Sequence, residues 1–165
     1  GATQTFALNT EDVIVDIPLT PLTNPEEEIQ EFLSTYSEFI GTMDINNLEE
    51  IEGLFTEGYI ASDDLPTRFF GIDTGVIPAK FEEVPSLITT LFEEFNLVQF
   101  RFHDIQTNIT NTRKAFARLR VDIITEQGPR ADRREIITEC EIHFRKEVSN
   151  WKIFFWQFFA ADIRL

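Results

Sequence analysis

At Leu97 the apolar residues of this chain change their period, and that change decides what it can fold into. Upstream, Ile29, Phe32, Leu33, Tyr36, Phe39 and Ile40 recur at helical spacing, and so do Phe81, Val84, Leu87, Ile88, Leu91, Phe92 and Phe95. Downstream the period is two, through segments long enough for four strands separated by short turns. Helices that each own one apolar face, followed by a long meander, predict an α+β domain with the helices covering one side of a curved antiparallel sheet.

The first helix is signalled by Asn24, Pro25 and the run Glu26, Glu27, Glu28: a cap, a first-turn proline and carboxylates against the positive helix end. A second, shorter helix is expected from Asp44 to about Gly58, turning Leu48, Ile51, Leu54 and Phe55 inward. Residues 59–80 read as loops with one short strand at most, and the third helix tolerates Pro85 because it falls near the first turn. Residues 1–24 carry Pro18 and Pro21 and no helical period. They read as an extended arm, with VIVDI as a short edge strand, ahead of a single domain over 25–165.

In the first long strand Val98, Phe100 and Phe102 share one parity and Ile105, Thr107 and Ile109 the other, which places a β-bulge at His103 and Asp104. The second puts Ala115, Ala117, Leu119, Val121 and Ile123 on one face. A turn centred on Gly128 and Pro129 sets Ala117 opposite Cys140 and Arg118 opposite Glu139. The next turn, at Val148 and Ser149, sets Phe144 opposite Ile153 and Ile142 opposite Phe155.

The last strand, WKIFFWQFFAADI, is apolar on both parities. With uninterrupted alternation Ile153, Phe155 and Phe159 face the core, together with the polar Gln157, and Phe154, Trp156 and Phe158 face outward. Three bare rings would expose on the order of several hundred Å², as much as a soluble monomer usually tolerates. Either a second copy covers them in a homodimer, or the arm does, through Val13, Ile14, Val15 and Ile17.

Composition narrows the function classes. With 165 residues, 42% of them hydrophobic, the chain makes one domain, and its 17 phenylalanines predict a core built on rings. A net charge of -15 disfavours nucleic acid and anionic membranes. Cys140 is the single cysteine and the two histidines are far apart, so no metal site and no cofactor is expected. No apolar run is long enough to span a bilayer. Gly1 in place of Met is compatible with a processed start, which leaves an exported and a cytoplasmic protein both open.

The first helix EEEIQEFLSTYSEFIGTMD, the second closing in GLFTEGY and the hairpin NWKIFFWQF resemble, in order, length and periodicity, the nuclear transport factor 2-like superfamily. This is the cone fold shared with ketosteroid isomerase, scytalone dehydratase and polyketide cyclase-like proteins. The resemblance implies dimers formed through the outside of the sheet and ligands held inside the cone. It puts Asp63 in the place of a general base and Tyr36 in that of an oxyanion-stabilising donor. The second donor of the isomerases, an acid on the sheet, has no counterpart among Ala115, Ala117, Leu119, Val121 and Ile123.

The expected pocket is lined by Tyr36, Ala117, Leu119, Cys140, Phe155 and Gln157. The residues taken by themselves read as a turn before Pro66 for Asp63 and Asp64, a core aromatic for Tyr36, an exposed pair for His103 with Asp104, and a surface residue near a pocket mouth for Arg68. The reading is a non-catalytic homodimeric domain that binds a small apolar ligand or acts as an interaction module. The alternative is a proton-transfer enzyme using Asp63 and Tyr36.

Overall fold

The computed structural model describes residues 24–61 and 77–164, with side chains described as far as Phe159. Helix α1 is Pro25–Thr42: the Asn24 side chain accepts the Glu27 N–H at 2.8 Å, and Met43 ends the helix in the left-handed conformation at φ 52°. A 3₁₀ turn, Ile45–Asn47, capped by Asp44, leads into α2, Leu48–Glu52. The predicted second helix therefore stops at Gly53, and Leu54 and Phe55 do not continue it.

Phe55 instead opens strand β1, Phe55–Ala61. Aromatic Phe55 and Tyr59 suit a strand, and the sheet partner outweighs four residues at helical spacing. Helix α3, Val84–Glu94, follows a 3₁₀ turn at Phe81–Glu83 and holds Pro85 in its first turn, where no intrahelical N–H is lost.

Four long strands complete the sheet: β2 Leu97–Asn111, β3 Lys114–Gln127, β4 Asp132–Glu147 and β5 Asn150–Arg164. The order is β1-β5-β4-β3-β2, antiparallel throughout except that β1 runs parallel to β5, so the sheet is mixed and not purely antiparallel. The bulge at His103 and Asp104 is present, with Asp104 at φ 54° and a register jump from His103↔Arg120 to Gln106↔Arg118.

The β3–β4 turn is longer than one centred on Gly128 and Pro129. It takes in Arg130 and Ala131 and shifts the pairs to Ala117↔Ile142, Leu119↔Cys140, Arg118↔Glu141 and Arg120↔Glu139. A shift of two positions keeps every side chain on its face, so apolar residues still meet apolar ones and charges still oppose charges.

Strand β5 departs most from the sequence reading. Its register runs Phe144↔Ile153, then His143↔Phe155, and later Cys140↔Phe158, then Glu139↔Ala160. Phe154 and Phe159 are the extra residues of two bulges, and each bulge reverses the parity of the residues beyond it. Trp156 and Phe158 are consequently core residues at 0% and 3% exposure, joined to Ile153 and Trp151, while Phe155 and Gln157 pass to the outer face. The expected outer stripe of Phe154, Trp156 and Phe158 is corrected by this switch: of the three only Phe154 lies outside, beneath the Arg145 guanidinium at 3.6 Å.

The inner face is continuous from Val98 and Phe100 on β2 through Ala117, Leu119 and Val121 on β3 to Cys140, Ile142 and Phe144 on β4. Helix α1 lies across it, packing Phe32 edge-on against Phe144 at 5.3 Å, with the Ser37 hydroxyl donating to the Phe100 carbonyl at 2.8 Å.

Candidate functional site

Tyr36 stands at the centre of the cone. The stripe Ile29, Phe32, Leu33, Tyr36, Ile40 turns its ring toward the sheet, where it meets Phe55, Phe100, Phe102 and Trp156 with centroids 5.5 to 6.1 Å apart, all edge-to-face. The ring is fully buried and its hydroxyl has no hydrogen-bond partner among the described residues. Burial holds the phenol above its ordinary pKa, so it remains a neutral donor.

Tyr59 packs on Phe55 at 4.7 Å, but its hydroxyl is satisfied, donating to the Pro78 carbonyl at 2.8 Å. Its pKa is also raised, by burial first and then by the neighbouring Tyr36 and Glu83.

Trp156, at 0% exposure, shares this cluster and stacks on Phe158 at 5.9 Å. Its indole N–H has the Cys140 sulfur as its neighbour, a side-chain contact that eases ionisation of the thiol, and no stronger acceptor among the described residues. Burial outweighs that help and pushes the Cys140 thiol up to about 12.

Of the expected pocket residues, Tyr36, Ala117, Leu119 and Cys140 are brought together on the inner side, all buried, and Phe155 and Gln157 are not. Asp63, Asp64 and Arg68 lie outside the described residues, as does the arm at 1–23.

Sequence reasoning missed two features. One is a groove of about 520 Å³ between α1 and the start of β5, lined by Phe32, Thr35, Leu54, Trp151 and Lys152. It forms where Gly53 and Leu54, just ahead of β1, meet the last hairpin, with the Ile153 N–H donating to the Leu54 carbonyl at 2.8 Å, and no local pattern announces that contact.

The other is the composition of the outer face. A row across three strands sets Phe116, His143 and Phe155 side by side: His143 stacks on Phe116 at 5.3 Å and meets the edge of Phe155 at 5.6 Å. Arg145 over Phe154 and Arg118 over Phe159, at 3.6 and 4.4 Å, flank the row, and His143 Nε2 is 2.8 Å from Glu141 Oε1. Near the β2 bulge, His103 Nε2 stands 3.1 Å from Asp122 Oδ1.

Among the described residues no group of three or more His, Cys, Asp or Glu is placed to hold a metal ion, and no helix is long and apolar enough to cross a membrane.

Comparison with known proteins bears on the fold. A scytalone dehydratase-like protein from Novosphingobium aromaticivorans superposes with a TM-score of 0.65 at 16% identity, over 83% of this chain and 85% of its own. A hexachlorocyclohexane dehydrochlorinase, LinA type 3 from Novosphingobium barchaimii, gives 0.59 at 8% identity, over 85% and 86%. A calcium/calmodulin-dependent protein kinase II association-domain-like protein from Xanthomonas campestris gives 0.62 at 11% identity, over 87% and 93%.

No protein-family model and no curated protein matches the chain. The class is an α+β cone in which helices close one side of a curved sheet. The fold is that of the nuclear transport factor 2-like superfamily, as the sequence pattern implies.

Proposed function

We propose that the cone holds a small, largely apolar molecule bearing a hydrogen-bond acceptor, and that Tyr36 is the group that orients it. The observation that carries this is the Tyr36 hydroxyl: fully buried, ringed by four aromatic side chains and unpartnered among the described residues. An orphaned buried polar group costs about 1–3 kcal/mol, and a ligand oxygen would recover it. Ala117, Leu119 and Cys140 supply the small and apolar wall opposite α1. Equilibrium dialysis against fluorene and 9-fluorenone tests the reading: binding of either at micromolar concentration, weakened for fluorenone by Tyr36→Phe, supports it. Retention of neither by the folded protein overturns it.

A second reading, proton transfer by Asp63 with Tyr36 as the donor to a developing oxyanion, has one observation in its favour. Strand β1 delivers the chain from Phe55 and Tyr59, beside Tyr36, to Ala61, two residues before Asp63, and Ala61 N–H is tied to the Ala79 carbonyl at 2.8 Å. Solved structures of this fold include the dehydratase-like and dehydrochlorinase proteins above, whose activities are their own. Deuterium exchange α to the carbonyl of 1-tetralone, lost by about 10²-fold in both Asp63→Asn and Tyr36→Phe, supports this reading; unaltered exchange in either variant removes it.

The outer sheet face is the proposed contact between two copies. Its rings are Phe116, Phe154, Phe155 and Phe159, and its charges alternate in sign across strands, Arg118 opposite Glu141 and Arg120 opposite Glu139. Such a surface is complementary to itself, whereas the chain as a whole carries -15.

A further inference from the structure

The 520 Å³ groove beside α1 does not end at Gly53. Gly53 and Lys152 also border a second cavity, of about 180 Å³, that reaches Phe81 at the entry to α3. The two spaces form one trough, and neither Tyr36 nor Ala117, Leu119 or Cys140 borders it.

The trough combines two chemistries. Phe32, Leu54 and Trp151 give the larger cavity an apolar side, as Phe55 and Phe81 do for the smaller. Among these rings stand six carboxylates: Glu28 and Glu31 in the first, Glu49, Glu52, Glu57 and Glu147 in the second. Lys152 is the one basic residue among the described residues that border either.

The chain's own lysines show which group suits such walls. Lys146 Nζ lies 5.4 Å over the Trp151 ring and 3.4 Å from Glu28 Oε1, and Lys152 Nζ stands 3.5 Å from Glu147 Oε1. Each carries an aliphatic stem that ends in an ammonium beside a carboxylate. A metal ion would need several carboxylates gathered at one point, and no such group of three exists among the described residues. Carboxylates spread along an apolar floor instead match ammonium groups spaced by methylenes.

We propose that the trough binds a linear aliphatic polyamine, with its methylenes on the rings. Its ammonium groups meet Glu31, Glu49, Glu52 and Glu57, which carry no ion pair among the described residues. A chain of net charge -15 attracts cations over its whole surface, so the test must separate this place from that general attraction.

Spermidine is titrated into the protein by calorimetry at low ionic strength, where a single site of micromolar Kd is expected. Putrescine, with one ammonium fewer, should bind about fivefold more weakly. Glu31→Gln with Glu57→Gln takes one exposed carboxylate from each cavity and should weaken spermidine about tenfold. Glu93→Gln with Glu94→Gln, on α3 and outside both cavities, removes the same charge and should change the affinity about twofold at most. Lys152→Gln removes the competing ammonium and should tighten binding about threefold.

A second readout follows the trough itself. In the ¹⁵N-labelled protein, with the indole signals distinguished through Trp151→Phe, spermidine should move the Trp151 signal and leave that of Trp156 in place. Equal weakening by the two double variants would assign the binding to overall charge and overturn the proposal. So would weaker binding to Lys152→Gln, a Trp151 signal unmoved in spermidine-saturated protein, or no binding of spermidine at all.

Discussion

The Trp151 indole N–H donates to Glu28 Oε1 at 2.8 Å, joining the first turn of α1 to the start of β5 across 123 positions of sequence. Lys146 Nζ approaches the same oxygen at 3.4 Å and lies 5.4 Å over the Trp151 ring. One carboxylate thus ties a helix to both strands of the last hairpin. It also stands in the wall of the 520 Å³ groove.

Glu28→Ala should therefore destabilise the fold by about 1–2 kcal/mol, a charged hydrogen bond discounted for partial exposure. Glu28→Gln keeps an acceptor for the indole and should cost less than half of that. Urea denaturation of the three proteins checks the order; equal losses for Ala and Gln would show that the charge and not the indole bond holds the joint.

Val148 is 90% exposed and sits at φ 59° in the two-residue turn between Glu147 and Asn150. A β-branched residue is a poor occupant of the left-handed region, and with only the first of the two turn residues at positive φ the turn is one that favours glycine there. Val148→Gly should stabilise the protein by about 1 kcal/mol, the relief of strain exceeding the added freedom of the unfolded chain. A rise in the urea midpoint without a change in slope is the expected result.

How much of this molecule is legible in its sequence depends on the range of the interactions involved. The Asn24 cap, the α1 stripe, the bulge at Asp104 and the Val148–Ser149 turn are legible because each is encoded within a few residues. The face of Ala117 and Leu119 is legible too, since a register error of two positions leaves faces unchanged.

Trp156 and Phe158 read as outward-facing because rings stand on both parities around the bulge, and the one mark of the reversal is Gln157, which uninterrupted alternation turns inward and the structure turns outward. Phe55 reads as helical because its parallel partner, Ile153, lies at the other end of the chain. Tyr36 stands out in the sequence through its place on the α1 stripe, but Trp156 beside it emerges only once β5 is threaded through the bulge at Phe154.

The same bulges redefine which residues test the proposed pairing of two copies. Phe155, between His143 and the bulge at Phe154, is half-buried at the end of the aromatic row. Phe155→Glu places a carboxylate near Glu141 and should convert a dimer into a monomer in sedimentation at micromolar concentration while leaving the unfolding free energy of the subunit within about 1 kcal/mol of wild type. Val148→Gly, at the hairpin tip, should leave the mass unchanged. A wild-type protein that sediments as a monomer across the micromolar range refutes the pairing outright.

Cys140 yields a prediction whose sign is set by burial. Its folded thiol is pushed up to about 12, first by desolvation and against the opposing influence of the Trp156 indole. In the unfolded chain the thiol titrates near its ordinary value of about 8.5. Below that pH both states hold the proton and burial of the thiol is undisturbed. As pH rises above it, the unfolded state releases a proton that the folded state keeps, so stability falls at about 1.4 kcal/mol per pH unit until the folded thiol itself ionises. Tyr36 and Tyr59, also raised, add to the loss only above about pH 10, where an unfolded phenol begins to ionise. Cys140→Ala isolates the thiol's share: the stability difference between wild type and variant should shrink by about 2 kcal/mol from pH 7 to pH 10. The native thiol should likewise resist a disulfide reagent at pH 8 and react only as fast as the protein opens. Parallel pH profiles for the two proteins, or immediate labelling of the folded chain, would place Cys140 in contact with water and away from the indole of Trp156.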